Sequence, residues 1–263
     1  MSTPIWSDFL TERDKQVFAV GGFGARQGFG KRPAILIIDV NYNFCGDKSE
    51  PILESIKRWR NSCGEEAWEG VKAIRQLITA GRAKGLPIIY TTGVRRADNW
   101  DAGGWAWKNS RTQERMNARG TSQSGDTIVP DIAPEHCDIV IYKQKPSAFF
   151  GTPLISYLTL LGADSLLLAG TTTSGCVRAT VLDAFSMNYR VTVVEEGCFD
   201  RSQASHAINL CDIHAKYADV IKLEEVIAFI KALPAGMFTL PKQDQSESPR
   251  VASTQPTSET FKC

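Results

Sequence analysis

The feature that most constrains how this chain folds is the stretch from Ser165 to Phe185, which has the pattern of a strand, a tight turn and a helix. The apolar run 166–169 is short and continuous, which is typical of a strand buried on both faces of a sheet. Small and polar residues at 170–175 predict a turn, and apolar residues recur at helical spacing from Val177. The pattern places Cys176 in the first turn of the helix.

Cys176 is therefore a candidate catalytic nucleophile. The N–H groups and the positive dipole end of a helix stabilise a thiolate, so we expect a lowered thiol pKa at this position. Two N–H groups of the turn would also stabilise a developing oxyanion. A cysteine that opens a helix is often only structural, and the stretch by itself leaves both interpretations open.

The rest of the chain alternates apolar runs with amphipathic segments. Strands are predicted at 33–40, 86–92, 137–142, 166–170, 190–195 and 219–222. Helices are predicted at 62–85, 153–162, 175–188, 203–216 and 224–232, and a Ser-x-x-Glu capping box at Ser62 and Glu65 opens the first. This alternation predicts an α/β fold, a three-layer α/β/α sandwich with a six-stranded parallel sheet.

Length and composition predict one large domain. The 263 residues, 43% of them hydrophobic and 22% charged, are enough to bury a substantial core without a disulfide or a metal. We place this domain at 33–235. Residues 1–32 are predicted to form an N-terminal arm that packs on it, and the polar residues 241–263 a disordered tail.

The charge and cysteine patterns bear on partners and location. The net charge is +1 with no basic run, so we expect no nucleic-acid partner. No apolar run approaches the length of a membrane span, and residues 1–16 lack the apolar core of a signal peptide. The seven cysteines are spread along the chain without a Cys-x-x-Cys pair, which suits a reducing compartment. A soluble, cytoplasmic protein with no membrane partner is expected.

Reactive side chains follow three of the predicted strands. Asp39 ends the first, Lys143 follows the third and Cys176 follows the fourth. The carboxyl ends of parallel strands are where active sites form in open α/β sheets, so the three side chains converge if their strands are neighbours. Asp39 could then take the thiol proton, while Lys143 keeps the carboxylate ionised and favours a thiolate. Each residue also has an ordinary structural interpretation, as a turn cap, a solvated lysine or a structural cysteine.

Other chemistries are disfavoured by the histidines and the glycines. His136, His206 and His214 are scattered, and none ends a predicted strand, which argues against a papain-like Cys–His pair and against a metal site. Gly22-x-Gly24 precedes the first strand instead of following it, which argues against dinucleotide binding. We expect no cofactor.

A long polar loop is predicted at 93–126, and it carries Trp100, Trp105 and Trp107. Loops of this length in a compact domain are usually functional or disordered. The three tryptophans favour function, and a lid over the site and a contact between subunits are equally consistent with the sequence.

Three motifs resemble those of the isochorismatase-like cysteine hydrolases, and the match extends from about residue 28 to 235. They are Ile38-Asp39, Lys143-x-x-x-Ser147-Ala148-Phe149-x-Gly151-Thr152 and Gly170-x-Thr172-x-x-Gly175-Cys176-Val177. Within this superfamily, residues 28–34 and 174–178 are most similar to those of the N-carbamoylsarcosine amidases.

The resemblance implies a catalytic triad. Asp39 matches the general base of the family, Lys143 its lysine and Cys176 its nucleophile. The family also has a cis peptide that would lie here between Thr171 and Thr172. This bond would turn the Thr172 N–H inward, to join the Cys176 N–H as an oxyanion hole.

The resemblance further implies how substrate is bound and how the chain assembles. Arg201 matches a position that holds a substrate carboxylate, which a planar guanidinium suits, and Thr171 is a second expected substrate-binding residue. A homo-oligomer, dimer or tetramer, is implied. Nicotinamidases of the superfamily carry a metal-binding Asp/His cluster after the first strand, and residues 40–45 contain none, so we expect no metal.

These expectations combine into a metal-free amidohydrolase. It would release ammonia and carbon dioxide from a small N-carbamoyl compound that bears a carboxylate, such as N-carbamoylsarcosine, through a Cys176 thioester. A simple amide such as maleamate is the alternative substrate. An alternative of another class is a non-catalytic relative that uses the pocket for small-molecule binding or redox sensing.

Overall fold

The six strands found in the described part of the chain form one parallel sheet flanked by helices. The computed structural model describes residues 3–108, 111 and 123–242. The strands are β1 (Pro33–Ile38), β2 (Ile88–Gly93), β3 (Ile139–Lys143), β4 (Ser165–Thr171), β5 (Arg190–Phe199) and β6 (Asp219–Ile221). Their order is β3-β2-β1-β4-β5-β6, and each neighbouring pair is parallel. The predicted three-layer α/β/α fold is confirmed.

The helices occupy both faces of this sheet. They are α1 (Glu12–Gly21), α2 (Tyr42–Cys45), α3 (Ile52–Arg58), α4 (Glu65–Lys84), α5 (Gly104–Lys108), α6 (Leu154–Leu161), α7 (Arg178–Ser186), α8 (Gln203–Lys216) and α9 (Leu223–Ala232). Short 3₁₀ turns lie at Ser7–Phe9, Trp100–Ala102 and Pro130–Ile132, and a π-helical turn at Thr173–Val177 leads into α7.

Alternate side chains of the central strands enter two separate cores. Leu36 of β1 packs with Leu168 of β4 and with α6, α7 and α8, whereas Ile37 and Ala169 pack with α4 and α9. Because every residue of β1 and β4 is buried, these strands read as continuous apolar runs rather than alternating ones.

The strand order reverses direction between β1 and β4, which is where open α/β sheets form ligand-binding crevices. The two strands approach closely there. Gly170 has φ +121°, and a Cβ at this position would lie 2.2 Å from the Ile38 carbonyl oxygen. Glycine at this position therefore allows the ends of β1 and β4, and the residues that follow them, to lie side by side.

Two local predictions are wrong. The capping box at Ser62 does not form, because Gly64 is the N-cap of α4 with φ 66°, and its N–H donates to Ser62 Oγ (3.0 Å). β5 continues four residues past the predicted end at Glu195, because Cys198 and Phe199 still pair with Gly170 and Thr171 of β4 after an irregularity in the register.

The N-terminal residues contain structure that the sequence patterns did not predict. Helix α1 begins with a capping box between Thr11 and Asp14. Trp6 is buried and its ring lies 5.4 Å from that of His214, whereas Phe9 is 46% exposed. The division into arm, domain and tail stays a prediction, and residues 243–263 of the expected tail lie outside the described residues.

The loop predicted at 93–126 holds a 3₁₀ turn and the short helix α5 in its described portion. Trp105 of α5 donates its Nε1–H to the Gln144 carbonyl oxygen (3.2 Å), whereas Trp100 and Trp107 are more than 80% exposed. Residues 109, 110 and 112–122 are outside the described part. None of the described helices is long and apolar enough to cross a membrane.

Candidate active site

Asp39 is held at the carboxyl end of β1 by the neighbouring strand β2. Its N–H donates to the carbonyl oxygen (3.1 Å) and to Oγ1 (3.2 Å) of Thr91, and the Thr91 hydroxyl donates to Asp39 Oδ1 at 2.8 Å. The Asp39 backbone has φ 54°, a left-handed conformation that is uncommon for a residue other than glycine. Thr91 therefore fixes both the backbone and one carboxylate oxygen of Asp39.

Lys143 forms a buried ion pair with the second oxygen of that carboxylate. Its Nζ lies 2.7 Å from Asp39 Oδ2, and both side chains are 5% exposed. β3 is separated from β1 by β2, so the strands of these two residues are not neighbours as the convergence argument assumed. The residue of β2 that pairs with Lys143 is Gly93, and a Cβ there would lie 2.4 Å from Asp126 Oδ1, so glycine leaves room for that carboxylate beside the ion pair.

Cys176 completes the group from the π-helical turn after β4. It is 9% exposed, and its thiol lies close enough to the side chains of Asp39 and Lys143 for both to shift its pKa. Thr180 of α7 donates to the Cys176 carbonyl oxygen (2.7 Å) and accepts from the Ala148 N–H (3.0 Å). The structure thus brings the three predicted catalytic side chains into contact and ties the Ser-Ala-Phe motif to the cysteine turn.

The cysteine is protonated in this setting. Burial is the main cause that raises the pKa of Cys176 to about 12; the charge of Asp39 raises it further, and Lys143 offsets part of this effect. The expected lowering of the thiol pKa by the helix end is therefore wrong. Burial also acts to lower the pKa of Lys143, but Asp39 and the Cys176 sulfur outweigh it, so the pKa of Lys143 is raised and its ammonium is retained.

The peptide bond between Thr171 and Thr172 is cis, as the resemblance predicted. Thr172 lies at the edge of the cavity beside Gly175 and Cys176, and its carbonyl oxygen accepts from the N–H groups of Gly175 (2.9 Å) and Val177 (3.2 Å). The role of the Thr172 and Cys176 N–H groups as an oxyanion hole stays a prediction.

The structure does not bring the Thr171 side chain to the cavity. Thr171 has no exposed surface, and its hydroxyl donates to the Phe199 carbonyl oxygen (3.2 Å). It also lies 3.7 Å from the sulfur of Cys63. The Thr171 side chain points into the protein interior, so a direct contact of this side chain with substrate, as expected from the resemblance, is not available.

A cavity of about 280 Å³ opens above Cys176. Among its lining residues in the described part of the chain, cations outnumber carboxylates by five to two. The cations are Arg60, Arg95, Lys143, Lys145 and Arg201, and the carboxylates are Asp39 and Asp126. Because Asp39 is paired with Lys143, the remaining surplus of positive charge in the lining favours an anionic ligand.

Arg201 lies at the rim of this cavity, as predicted for a carboxylate-binding residue. It is exposed, and one guanidinium N–H donates to the Asn61 carbonyl oxygen at 2.9 Å. No substrate contact of Arg201 is tested by this structure, so that role stays a prediction.

Sequence reasoning missed the wall formed by Asp126 and Asn43. Asn43 donates to Asp126 Oδ1 (3.0 Å), and burial raises the pKa of Asp126 although Arg95 and the Asn43 hydrogen bond oppose the shift. Asp126 lies at the end of the long loop and follows no strand, so no strand-end signal marked it. Among the described residues, no group of three or more His, Cys, Asp or Glu side chains is placed to hold a metal ion, and the absence of a metal stays a prediction.

Comparisons with known proteins identify relatives of this chain. Residues 33–225 match the isochorismatase domain. The chain is 33% identical to N-carbamoylsarcosine amidase from Arthrobacter sp, over 91% of this chain and 87% of the relative. It is 30% identical to maleamate amidohydrolase from Pseudomonas putida, over 86% of this chain and 99% of the relative.

A solved structure gives the same result. The crystal structure of N-carbamoylsarcosine amidase from Thermoplasma acidophilum superposes with a TM-score of 0.57 at 25% identity, covering 73% of this chain and 97% of the other. The chain belongs to the isochorismatase family, as an amidohydrolase.

Proposed function

We propose that this protein cleaves the carbamoyl C–N bond of a small N-carbamoyl compound that bears a carboxylate, and that it releases ammonia and carbon dioxide. The observation that carries the proposal is the buried contact of Asp39, Lys143 and Cys176 beneath a cavity with surplus positive charge. The similarity to an N-carbamoylsarcosine amidase over most of both chains supports this substrate class.

The first half of the reaction forms a thioester. Because the resting thiol is protonated, Asp39 takes the proton as the Cys176 sulfur attacks the carbonyl carbon. The N–H groups of Thr172 and Cys176 hold the resulting oxyanion. The C–N bond then breaks as Asp39 returns the proton to the departing nitrogen, which leaves as ammonia.

The second half regenerates the enzyme. Water attacks the thioester carbon, its proton passes to Asp39, and the proton returns to the sulfur as the C–S bond breaks. The product is a carbamate, which loses carbon dioxide to give the free amine. Lys143, whose ammonium contacts both Asp39 and the sulfur, balances the negative charge that moves between these two groups.

Arg201 is assigned to the substrate carboxylate. Its guanidinium lies at the rim of the cavity, and two parallel hydrogen bonds to a carboxylate suit its planar geometry. The remaining cations of the lining raise the local concentration of an anionic substrate.

A simple amide of a carboxylic acid is the second candidate substrate. The similarity to a maleamate amidohydrolase over nearly the whole of that relative favours it, and the same residues would cleave it by the same steps. A simple amide gives ammonia and a carboxylic acid, without carbon dioxide.

A product screen tests the proposal. Purified enzyme is incubated with N-carbamoylsarcosine, other N-carbamoyl amino acids, maleamate and uncharged amides, and ammonia and carbon dioxide are both measured. We expect equimolar ammonia and carbon dioxide from an N-carbamoyl amino acid, and neither product from the Cys176→Ala variant. Ammonia from maleamate alone would establish the second candidate, and no ammonia from any carboxylate-bearing substrate would refute both.

A further inference from the structure

The nucleophile and the carboxylate-binding arginine lie on two different segments of the chain. Cys176 follows β4, whereas Arg201 follows β5, and both line the cavity. Their separation decides which substrates can place a carboxylate on Arg201 and a carbonyl carbon on the sulfur at the same time. Whatever fixes these segments to each other therefore contributes to the choice of substrate.

The backbone pairing of the two strands ends just before these segments begin. The last register pair is Thr171 with Phe199. The hydroxyl groups of Thr171 and Thr173 then both donate to the Phe199 carbonyl oxygen, each at 3.2 Å. Beyond Phe199, the segments that follow β4 and β5 are connected by a side chain instead of by backbone pairing.

That side chain is Asp200, which is 8% exposed. Its Oδ2 accepts from the N–H (2.8 Å) and from the hydroxyl (2.7 Å) of Ser174, two residues before the nucleophile. Its Oδ1 accepts from the N–H of Arg201 at 2.7 Å. Ser174 and Arg201 line the cavity, and Asp200 lies behind them, away from the cavity lining.

A carboxylate suits this position because all three groups that hydrogen-bond to it are donors. Hydrogen bonds to an ionised acceptor are shorter and stronger than neutral ones. An amide in its place would set an NH₂ group against either the Ser174 or the Arg201 N–H. The far end of Arg201 is tethered as well, by the hydrogen bond from its guanidinium to Asn61, so the arginine is held at both ends.

We propose that Asp200 is a positioning residue that sets the distance between Cys176 and Arg201 and thereby the length of substrate that the enzyme accepts. The inference rests on the proposed function and deepens it. It predicts discrimination between an N-carbamoyl amino acid and its homologue with one more methylene before the carboxylate. Displacement of reacting atoms by about 1 Å already costs about 100-fold in rate, so the fixed distance makes a selective site.

The matched control is Asp219, a carboxylate that performs the same kind of bridging far from the cavity. It is 3% exposed, and its two oxygens accept from the N–H groups of Gln27 (3.1 Å) and Gly28 (2.8 Å). Asp219→Asn therefore reproduces the loss of a buried bridging carboxylate without touching the site.

The first test compares kcat/KM for N-carbamoylsarcosine and for its one-methylene homologue. We expect wild type to prefer one of the two by about tenfold or more. Asp200→Asn should lower this ratio at least fivefold, mainly through kcat of the preferred substrate, and Asp219→Asn should leave the ratio unchanged. An equal rate on both homologues in wild type, or an unchanged ratio in Asp200→Asn, overturns the proposal.

A second test needs no substrate turnover. The rates at which 4-bromobutanoate and 4-bromobutanamide alkylate Cys176 are compared. Only the former carries a carboxylate, and three bonds separate its carboxylate carbon from the reacting carbon, as in N-carbamoylsarcosine. The 4-bromobutanoate preference should fall in Asp200→Asn, and by a smaller factor in Ser174→Ala, which removes one of the three hydrogen bonds and serves if the first variant does not fold. An unchanged ratio in a folded variant overturns the inference, whereas absent ammonia release in wild type overturns only the proposed function.

Discussion

Cys176 and Cys198 lie at the ends of neighbouring strands, and their thiols share two properties. β4 and β5 pair with Gly170 opposite Cys198, the two cysteines are 9% and 5% exposed, and burial raises the pKa of each to about 12. The difference lies in their partners. Cys176 lies beside a carboxylate and an ammonium, whereas Cys198 lies opposite the backbone of Gly170 and lines a separate cavity.

This difference indicates that the thiol pKa does not distinguish the proposed nucleophile, Cys176, from Cys198. Both thiols are protonated at neutral pH, so neither is a resting thiolate. Cys176 differs in having the Asp39 carboxylate and the Lys143 ammonium beside it, and in lining the same cavity as Arg201, whereas Cys198 lines a separate cavity. Contact with a base therefore matters more than an activated resting state.

The largest expected effect comes from removing each thiol in turn. Cys176→Ala should lower ammonia release by about 10⁴-fold or more, since no other group can form the thioester. Cys198→Ala, the matched variant, should retain activity close to wild type. Steady-state ammonia release with a coupled assay measures both. If both folded variants lost activity to a similar extent, the proposed distinction between a catalytic Cys176 and a structural Cys198 would be wrong.

Replacing the base should affect catalysis and alkylation in opposite directions. Asp39→Asn removes the general base and should lower kcat by about 10²–10⁴-fold. It also removes a negative charge that raises the pKa of Cys176, while Lys143 remains, so that pKa falls. Alkylation of Cys176 by iodoacetamide at pH 8, located by peptide mass, should therefore become faster. Faster labelling of Cys198 as well would indicate unfolding, and slower labelling of Cys176 would contradict the electrostatic argument.

The sheet and the meeting of the three proposed catalytic side chains could be predicted from the sequence because they follow from regular strand patterns. Buried parallel strands are continuous apolar runs, and their carboxyl ends meet at one edge, so Asp39 and Cys176 were found by position. Lys143 was found by the same rule although β2 separates its strand from β1, because a long side chain spans that distance. Strand order could not be read from periodicity, since pairing is a tertiary property.

The residues that hold other residues of the site in place could not be predicted. Thr91 lies within a strand, and Asp200 lies five residues beyond the predicted end of β5, so neither carried a strand-end signal. The thiol pKa was predicted in the wrong direction because the helix-end argument counts local dipoles, whereas burial and Asp39 act through the folded structure. Asp126 lies in the cavity wall because the folded chain brings it to Asn43, and no local sequence pattern indicates that contact.

A moderate effect is expected at the rim of the cavity. Arg201→Lys keeps the charge but loses the planar pair of N–H donors, so KM for a carboxylate-bearing substrate should rise about 10-fold to 100-fold with a smaller change in kcat. The matched substrate is the corresponding neutral amide of the same compound, for which KM should not change. A fall in kcat alone would assign Arg201 to the chemical step instead of to binding.

The smallest effect is on stability, where the two thiols should behave alike. Each folded-state pKa of about 12 exceeds the ordinary value of 9.0, so the stabilisation is complete below pH 9 and is lost as the pH rises from 9 towards 12. By pH 10 each buried thiol should lower the unfolding free energy by on the order of 1 kcal/mol. The unfolding free energy, measured with urea, should therefore fall less between pH 8 and pH 10 in Cys198→Ala than in wild type. The two decreases should differ by about that amount. An equal difference in both proteins would mean that Cys198 ionises as readily when folded as when unfolded, and the likeness between the two buried thiols would not hold.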